Sequence, residues 1–155
     1  TYPESELERI LREYGEERLA KKIAKAIVMH RTKNKIGTCI ELSEVVRGIY
    51  KRRSSHLRHH PATKTFQALR IAVNDEINEI HKGLSASVRM LKSGGRLCAI
   101  SYHSLEDRVV KHFLKDASKE GLVRIITKKP LCPSHEEART NPSSRSAKLR
   151  GAEKI

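Results

Sequence analysis

The chain has 155 residues, 37% of them hydrophobic, which is enough for one domain or for one domain and part of another. Its 32 lysines and arginines against 18 aspartates and glutamates give a formal charge of +14, which favours a polyanionic partner, nucleic acid foremost, although solvated helix faces also produce basic surfaces. Three widely spaced cysteines argue against a disulfide framework and a zinc knuckle, and no apolar run reaches transmembrane length. With no signal peptide at its start, we expect a soluble protein of the cytoplasm.

The amino-terminal part predicts three amphipathic helices. Apolar residues recur at helical spacing from Leu7 to Tyr14, are interrupted at Gly15, and resume from Leu19 to Ile27. A turn follows, and Thr38-x-x-Glu41 is the capping box of a third helix.

The run "KRRSSHLRHH", residues 51–60, is basic and nearly without apolar residues. It predicts either a solvated loop or an arm that contacts phosphates, and we place a domain boundary near residue 60. His59 and His60 are neighbours without a nearby cysteine or aspartate, so we expect no metal site.

The next segment predicts one long helix. Apolar residues from Phe66 through Val73 to Leu84 follow a 3.6-residue period, with a joint expected near Gly83 and a stop at residues 94–95. Thr63 or Thr65 is expected to cap its start.

An α/β unit follows this helix. The uniformly apolar "RLCAISY", residues 96–102, predicts a parallel strand covered on both faces. Ser104-x-x-Asp107 predicts the cap of the next helix. Residues 122–127 and the closing segment 145–155 predict two more strands.

The candidate site lies at the carboxyl end of the strand 96–102. Open α/β sheets collect ligands at the carboxyl ends of parallel strands, where Ser101 and His103 are expected. The usual glycine-rich turn between a strand and a helix is absent from the sequence, since Gly94-Gly95 precedes a strand. We therefore expect no cofactor-binding residue in this chain.

Four segments together carry a resemblance. They are "YGEERLAKKIAKAIV" (14–28), "HPATKTFQALRIAVNDE" (60–76), "GGRLCAISYHSLEDRVVK" (94–111) and "NPSSRSAKLRGAEK" (141–154). In this order they resemble the ribosomal RNA small-subunit methyltransferase H family, RsmH, also called MraW.

The resemblance implies a fold and an activity. The fold is α/β: a partial class I, Rossmann-like methyltransferase core, residues 61–155, with an inserted all-α domain, residues 1–60, for RNA recognition. The activity is S-adenosylmethionine-dependent methylation of the N4 amine of a cytidine in the decoding region of small-subunit (16S) rRNA. The family's amino-terminal cofactor half is missing from this sequence, so we expect the chain alone to be inactive.

Three sets of candidate residues follow. Ser101, His103 and Ser104 are expected to border the cytidine pocket, unless His103 merely ties the strand end to a loop. Gln67, Arg70 and Asn74 share one helix face and are expected either to touch substrate or to join the two domains. Arg145, Lys148 and Arg150 are expected to contact the rRNA backbone.

Two other functions stay open at this point. One is a noncatalytic, basic RNA-binding module, and the other is a DNA-binding helix-turn-helix built on the helix 38–50. The incomplete sheet also predicts self-association through an exposed strand edge.

Overall fold

The computed structural model describes residues 2–50 and 60–155 of the chain. By compactness the chain divides into two units, Thr1–Glu76 and Ile77–Ile155. The basic run 51–59, where either a solvated loop or a phosphate-contacting arm was expected, lies outside the described residues. The predicted division near residue 60 into inserted domain and core stays a prediction.

The first unit is helical. Its helices are α1 (Glu4–Glu13), α2 (Ala20–Arg31), α3 (Cys39–Tyr50) and α4 (Thr63–Asn74). Their apolar stripes meet in one core, whose buried members include Ile10, Leu11, Ile23, Val46 and Ala68. The three helices expected before residue 51 are thereby confirmed.

The capping box of α3 is present as predicted. The N–H of Glu41 donates to Thr38 Oγ1 at 3.2 Å, and Glu41 Oε2 accepts from the N–H groups of Gly37 and Thr38 at 2.6 and 3.0 Å. These bonds satisfy amides that the first turn of a helix leaves without partners. They also hold the pKa of Glu41 below its ordinary value.

Gly15 permits a close approach between α1 and α4. A Cβ at this position would lie 2.8 Å from the carbonyl oxygens of both Leu11 and Lys64. Because both obstacles are backbone atoms, a side chain here would force the two helices apart. The glycine that interrupts the apolar period is therefore a packing requirement as well as a helix end.

The expectation of one long helix from residue 62 to residue 93 is wrong. The helix α4 ends at Asn74, Asp75 adopts the left-handed conformation with φ of +51°, and α5 (Glu76–Met90) begins directly after it. Aspartate tolerates this region because its short polar side chain bonds locally. Gly83, the expected joint, lies inside α5.

The buried face of α4 also differs from the prediction. It consists of Thr65, Ala68 and Ile71, while Val73 is 74% exposed. The N-cap of α4 is Ala62, which makes no side-chain cap, so neither predicted threonine caps the helix. Thr65 is instead buried, and its hydroxyl oxygen has no hydrogen-bond partner among the described residues.

The second unit contains a small sheet. After α5 come β1 (Arg96–Ser101), α6 (Ser104–Lys119), β2 (Val123–Ile125), α7 (His135–Thr140), a 3₁₀ turn (Pro142–Ser146) and β3 (Lys148–Lys154). The strand order is β1-β3-β2, and both pairings are antiparallel. The register places Cys98 opposite Gly151 and Arg124 opposite Glu153.

The helix α6 covers one face of this sheet. Val110 and Leu114 pack with Val123 and Ala152 in the core of the unit. The predicted helix after residue 104 and the two late strands are confirmed, although the strand expected over 122–127 is only three residues long.

The expected parallel strand covered on both faces is not what the described residues form. There β1 pairs with β3 alone, in antiparallel fashion, and its residues alternate between exposed and partly buried, with Ile100 57% exposed. A continuous apolar run does not by itself show which face of the strand is covered by a helix. Within the described residues, no helix is both long and apolar enough to cross a membrane.

Candidate functional site

His103 lies between the end of β1 and the first turn of α6, where it is the N-cap of the helix. Its Nδ1 accepts from the N–H of Glu106 at 3.3 Å, and Glu106 Oε2 accepts from the N–H groups of Tyr102 and His103 at 2.8 and 3.2 Å. This is a reciprocal capping box with histidine in place of serine or threonine. It fixes the orientation of the imidazole ring.

The capping bond determines which of the two ring nitrogens carries the hydrogen in the neutral imidazole. Since Nδ1 accepts a hydrogen bond, the proton is carried by Nε2. This Nε2 is buried, lies 3.3 Å from Glu106 Oε1 without the alignment of a hydrogen bond, and has no hydrogen-bond partner among residues 2–50 and 60–155. The ring N–H therefore lies near a carboxylate but forms no aligned hydrogen bond with it, and it can still donate to a further acceptor.

The residues that flank His103 in the sequence are Ser101, Tyr102 and Ser104. Ser101 is the last residue of β1 and only 3% exposed, and its Oγ donates to the carbonyl of Lys148 at a long 3.4 Å. Tyr102 is 56% exposed, and Ser104 is exposed at the first position of α6. The structure therefore brings the three predicted residues Ser101, His103 and Ser104 together at the carboxyl end of β1, as the chain order requires.

Asp107 forms a buried ion pair with Arg150. Its two carboxylate oxygens accept from Arg150 Nε at 2.7 Å and from Nη2 at 3.2 Å, and Lys148 Nζ lies 3.5 Å away. The side chains of Asp107 and Arg150 are 12% and 8% exposed. The hydrogen bonds from Arg150 hold the pKa of Asp107 below its ordinary value, with the charge of Lys148 adding to the effect.

The expected roles of Ser104 and Asp107 as the cap of α6 are wrong by one position. Glu106, rather than Asp107, bonds back to the N-terminal amides. Both S-x-x-D and H-x-x-E fit the segment, and the longer glutamate reaches the N-cap amide more easily. Asp107 is thereby left one position further round the helix, where it meets β3.

Gln67, Arg70 and Asn74 form contacts within the helical unit. Gln67 donates to the carbonyl of Tyr14 at 3.3 Å, Arg70 donates to both carboxylate oxygens of Glu76 at 2.7 and 3.0 Å, and Asn74 donates to Glu76 at 3.5 Å. Arg70 and Asn74 thus share an acid on the other side of the Asp75 break. These contacts give the polar face of α4 a structural role, and a contact with substrate stays a prediction.

The three cations of the closing segment have different environments. Arg145 is exposed in the 3₁₀ turn, Lys148 is partly buried beside Asp107, and Arg150 is buried in its bidentate pair. Arg145 remains able to meet a phosphate, and Lys148 in part. Arg150 already holds its anion, so the structure gives it the role of joining β3 to α6.

Gly94 and Gly95 do not form a ligand-binding glycine turn. The N–H of Gly94 donates to the carbonyl of Lys154 and that of Gly95 to the carbonyl of Lys92, both at 2.9 Å. Amides that already have backbone partners cannot also cradle a ligand carboxylate or phosphate.

Comparison with known proteins gives the family. A model of the MraW methylase family matches residues 1–155. The chain belongs to this family. The ribosomal RNA small subunit methyltransferase H of Caldicellulosiruptor bescii is 50% identical over 99% of this chain, and the protein of the same name from Persephonella marina is 48% identical over 99%.

A third methyltransferase H, from Geotalea uraniireducens, is 47% identical over 100% of this chain. These alignments cover 53 to 54% of the relatives' own sequences. The chain therefore spans about half the length of the curated relatives it matches. The resemblance carried by the four quoted segments is confirmed at the level of the MraW methylase family.

Proposed function

We propose that the native protein carrying this sequence methylates the N4 amine of a cytidine in small-subunit ribosomal RNA, with S-adenosylmethionine as the methyl donor. Membership of a methylase family supports methyl transfer, and the names of the relatives support ribosomal RNA as substrate. The formal charge of +14 supports a polyanionic substrate. We assign residues 1–60 to RNA recognition and residues 61–155 to the last part of a methyltransferase core.

The chemistry asks for hydrogen-bond acceptors rather than a strong base. The exocyclic amine of cytosine is a poor nucleophile because its lone pair is delocalised into the ring. Acceptors that bind its N–H groups fix its orientation and return electron density to nitrogen. A hydroxyl, a carboxylate or a backbone oxygen is sufficient.

The carboxyl end of β1 provides groups of this kind. Ser101 Oγ is buried there and, as a hydroxyl, retains acceptor capacity beside its long bond to Lys148. His103 Nε2–H is a donor, so its proposed contact is with a ring acceptor of cytosine and holds the base in position rather than accepting from the amine. The single observation that carries the assignment is this buried Nε2, held in place by a capping box and without an aligned hydrogen bond among the described residues, although Glu106 Oε1 lies 3.3 Å away. Ser104, at the first position of α6, completes the proposed pocket.

The test separates capping from substrate contact at His103. Asparagine caps helices as well as the best residues do, whereas alanine does not. We expect His103→Asn in the native protein to fold normally and to lose about 10²-fold in methylation rate, the typical cost of a substrate that is held about 1 Å out of place. His103→Ala should lose both activity and stability.

The assay is methyl incorporation into small ribosomal subunits, with nucleoside mass spectrometry to identify the product. A wild-type rate in His103→Asn would remove His103 from the site, and a product other than N4-methylcytidine would contradict the proposed reaction. Ser134→Asn is a matched control, because Ser134 Oγ caps α7 by accepting from the N–H of Glu137 at 3.1 Å. It should leave the rate unchanged.

The alternative is a noncatalytic RNA-binding module, which the positive charge favours equally. It predicts RNA binding by the native protein without any methyl incorporation. The same assay, performed with a binding measurement on the same preparation, distinguishes the two functions.

A further inference from the structure

A basic cleft lies beside the second half of α6 and the strand β2. Its volume is about 630 Å³. Its apolar floor is formed by Ile125 and Ile155, since Leu114 and Val123 also line the cleft but are only 2% and 1% exposed. Lys111 and Lys115 line it as well. Neither the capping box nor the end of β1 contributes to this cleft.

Every charged side chain that lines the cleft is basic. They are Lys111, Lys115, Arg124, Lys128 and Arg150. Arg150 is neutralised by Asp107 and Arg124 by Glu153, the latter at 2.8 Å. The three lysines make no ion pair with any residue the structure describes, so they hold the excess charge of the cleft.

We propose that this cleft binds a single-stranded segment of RNA, with the three lysines on phosphates and a base against the apolar floor. The proposal rests on the proposed function, since it assigns a contact surface for the same ribosomal RNA. Nucleotides combine a planar apolar face with an anionic backbone, which is the combination that this floor and rim complement. A ligand with only carboxylates would use the lysines and leave the floor unfilled.

The cleft is distant from the proposed methylation site along α6. Lys111 and Lys115 follow the N-cap His103 by 8 and 12 positions, which is roughly 12 and 18 Å along a helix axis. At ~3.4 Å per stacked nucleotide, this separation corresponds to roughly four to five nucleotides. The cleft would therefore hold RNA that flanks the methylated nucleotide and would not take part in the reaction.

The test is the salt dependence of RNA binding. A fluorescently labelled single-stranded RNA is titrated with the native protein and its triple variant Lys111→Gln/Lys115→Gln/Lys128→Gln, at several salt concentrations. Each lost contact with a phosphate of a single strand removes about 0.7 from the slope of log K against log salt. We expect the slope to become shallower by about 2 and the affinity to fall.

The matched control is Arg89→Gln/Lys92→Gln/Lys129→Gln. It lowers the formal charge from +14 by the same three units and changes exposed cations that do not line the cleft. We expect it to keep the wild-type slope. Equal slopes in the two triple variants would overturn the proposal, because the lysines would then act only through the net charge.

Two further arms test the identity of the ligand. An RNA of the same length with abasic sites should bind more weakly to the wild type, because no base fills the floor, and equal affinity would count against the proposal. Poly-glutamate is the probe for an acidic protein partner. If its affinity depends on the three lysines and that of RNA does not, the proposal is overturned.

The experiments distinguish a wrong assignment of the cleft from a wrong assignment of the methylation activity. A native protein that binds RNA through these lysines but transfers no methyl group would contradict the activity and leave the cleft assigned. A triple variant that binds and methylates RNA like the wild type would contradict the cleft and leave the activity intact.

Discussion

Replacing Asp107 by asparagine should lower the free energy of unfolding by about 3 kcal/mol. The change leaves the Arg150 guanidinium without a counter-charge in a place where its side chain is only 8% exposed. Breaking a buried ion pair by removing one partner typically costs about 3 to 5 kcal/mol. The lower end applies here, because the asparagine carbonyl still accepts one of the two hydrogen bonds, which are 2.7 and 3.2 Å long.

The reverse change should cost less. In Arg150→Met the Asp107 carboxylate keeps Lys148, whose Nζ lies 3.5 Å away and whose side chain is 37% exposed. We expect a loss of about 2 kcal/mol from this variant. The double variant leaves no buried charge unpaired, because Lys148 is 37% exposed. It should also lose about 2 kcal/mol, which gives a coupling energy of about 3 kcal/mol between the two positions.

Urea unfolding followed by circular dichroism measures these differences, and the m-value checks that the transition has not changed in kind. Hydrogen exchange of the β3 amides then shows that the loss is local to the strand that Arg150 holds. Lys119→Gln is the control, since its pair with Asp116 is 65% and 64% exposed and should contribute less than about 1 kcal/mol. The reasoning is refuted if Asp107→Asn costs no more than this exposed pair.

Further predictions follow from the same contacts. Because the pKa of Asp107 is lowered in the folded chain, the unfolded chain binds more protons in acid. The stabilisation is complete above the unfolded pKa of about 3.9 and is lost as the pH falls through the folded pKa. Acid titration of Asp107→Asn should therefore show a smaller loss of stability below pH 4 than the wild type, and an equal loss would contradict the assignment. Gly15→Ala should destabilise the chain by about 1 to 3 kcal/mol in urea unfolding, because its Cβ would lie 2.8 Å from two carbonyl oxygens; a neutral or stabilising effect would show that the helices separate freely. In the described part of the chain β1 pairs only with β3, so its other edge should cause self-association. Sedimentation velocity would show this as a concentration-dependent species. A single compact monomer at every concentration would argue against it.

Local patterns were sufficient for most elements of the fold. The helices before residue 51 and the helix after residue 104 each have an apolar stripe at helical spacing, and α3 also has its capping box, so each could be predicted by itself. The closing strand 148–154 was also predicted. Its partners were not, because pairing order and direction are set by contacts between distant segments: β3 lies between β1 and β2 although it follows both in the chain.

Two errors arose where neighbouring residues offered equivalent choices. Around Asp75 the apolar period continues without interruption, and the left-handed turn depends on one aspartate whose φ is +51°. At the start of α6, S-x-x-D and H-x-x-E overlap, and the choice between them determines whether Asp107 faces the cap or the sheet. Its partner Arg150 is 43 residues away, so no local pattern could have joined them.

The positive charge of the chain predicted a class of partner but could not identify the cations that meet it. Arg150, Arg124 and Arg70 all lie in ion pairs with carboxylates of their own unit, and a cation that already has an anion gains little from a phosphate. The lysines at 111, 115 and 128 have no such pair among the described residues, although in the sequence they look no different from the rest. Counterion release depends on the cations that are not already paired with acids. The positions of the acids relative to the basic residues, which only the folded structure shows, therefore distinguish a binding surface from a surface that is only basic.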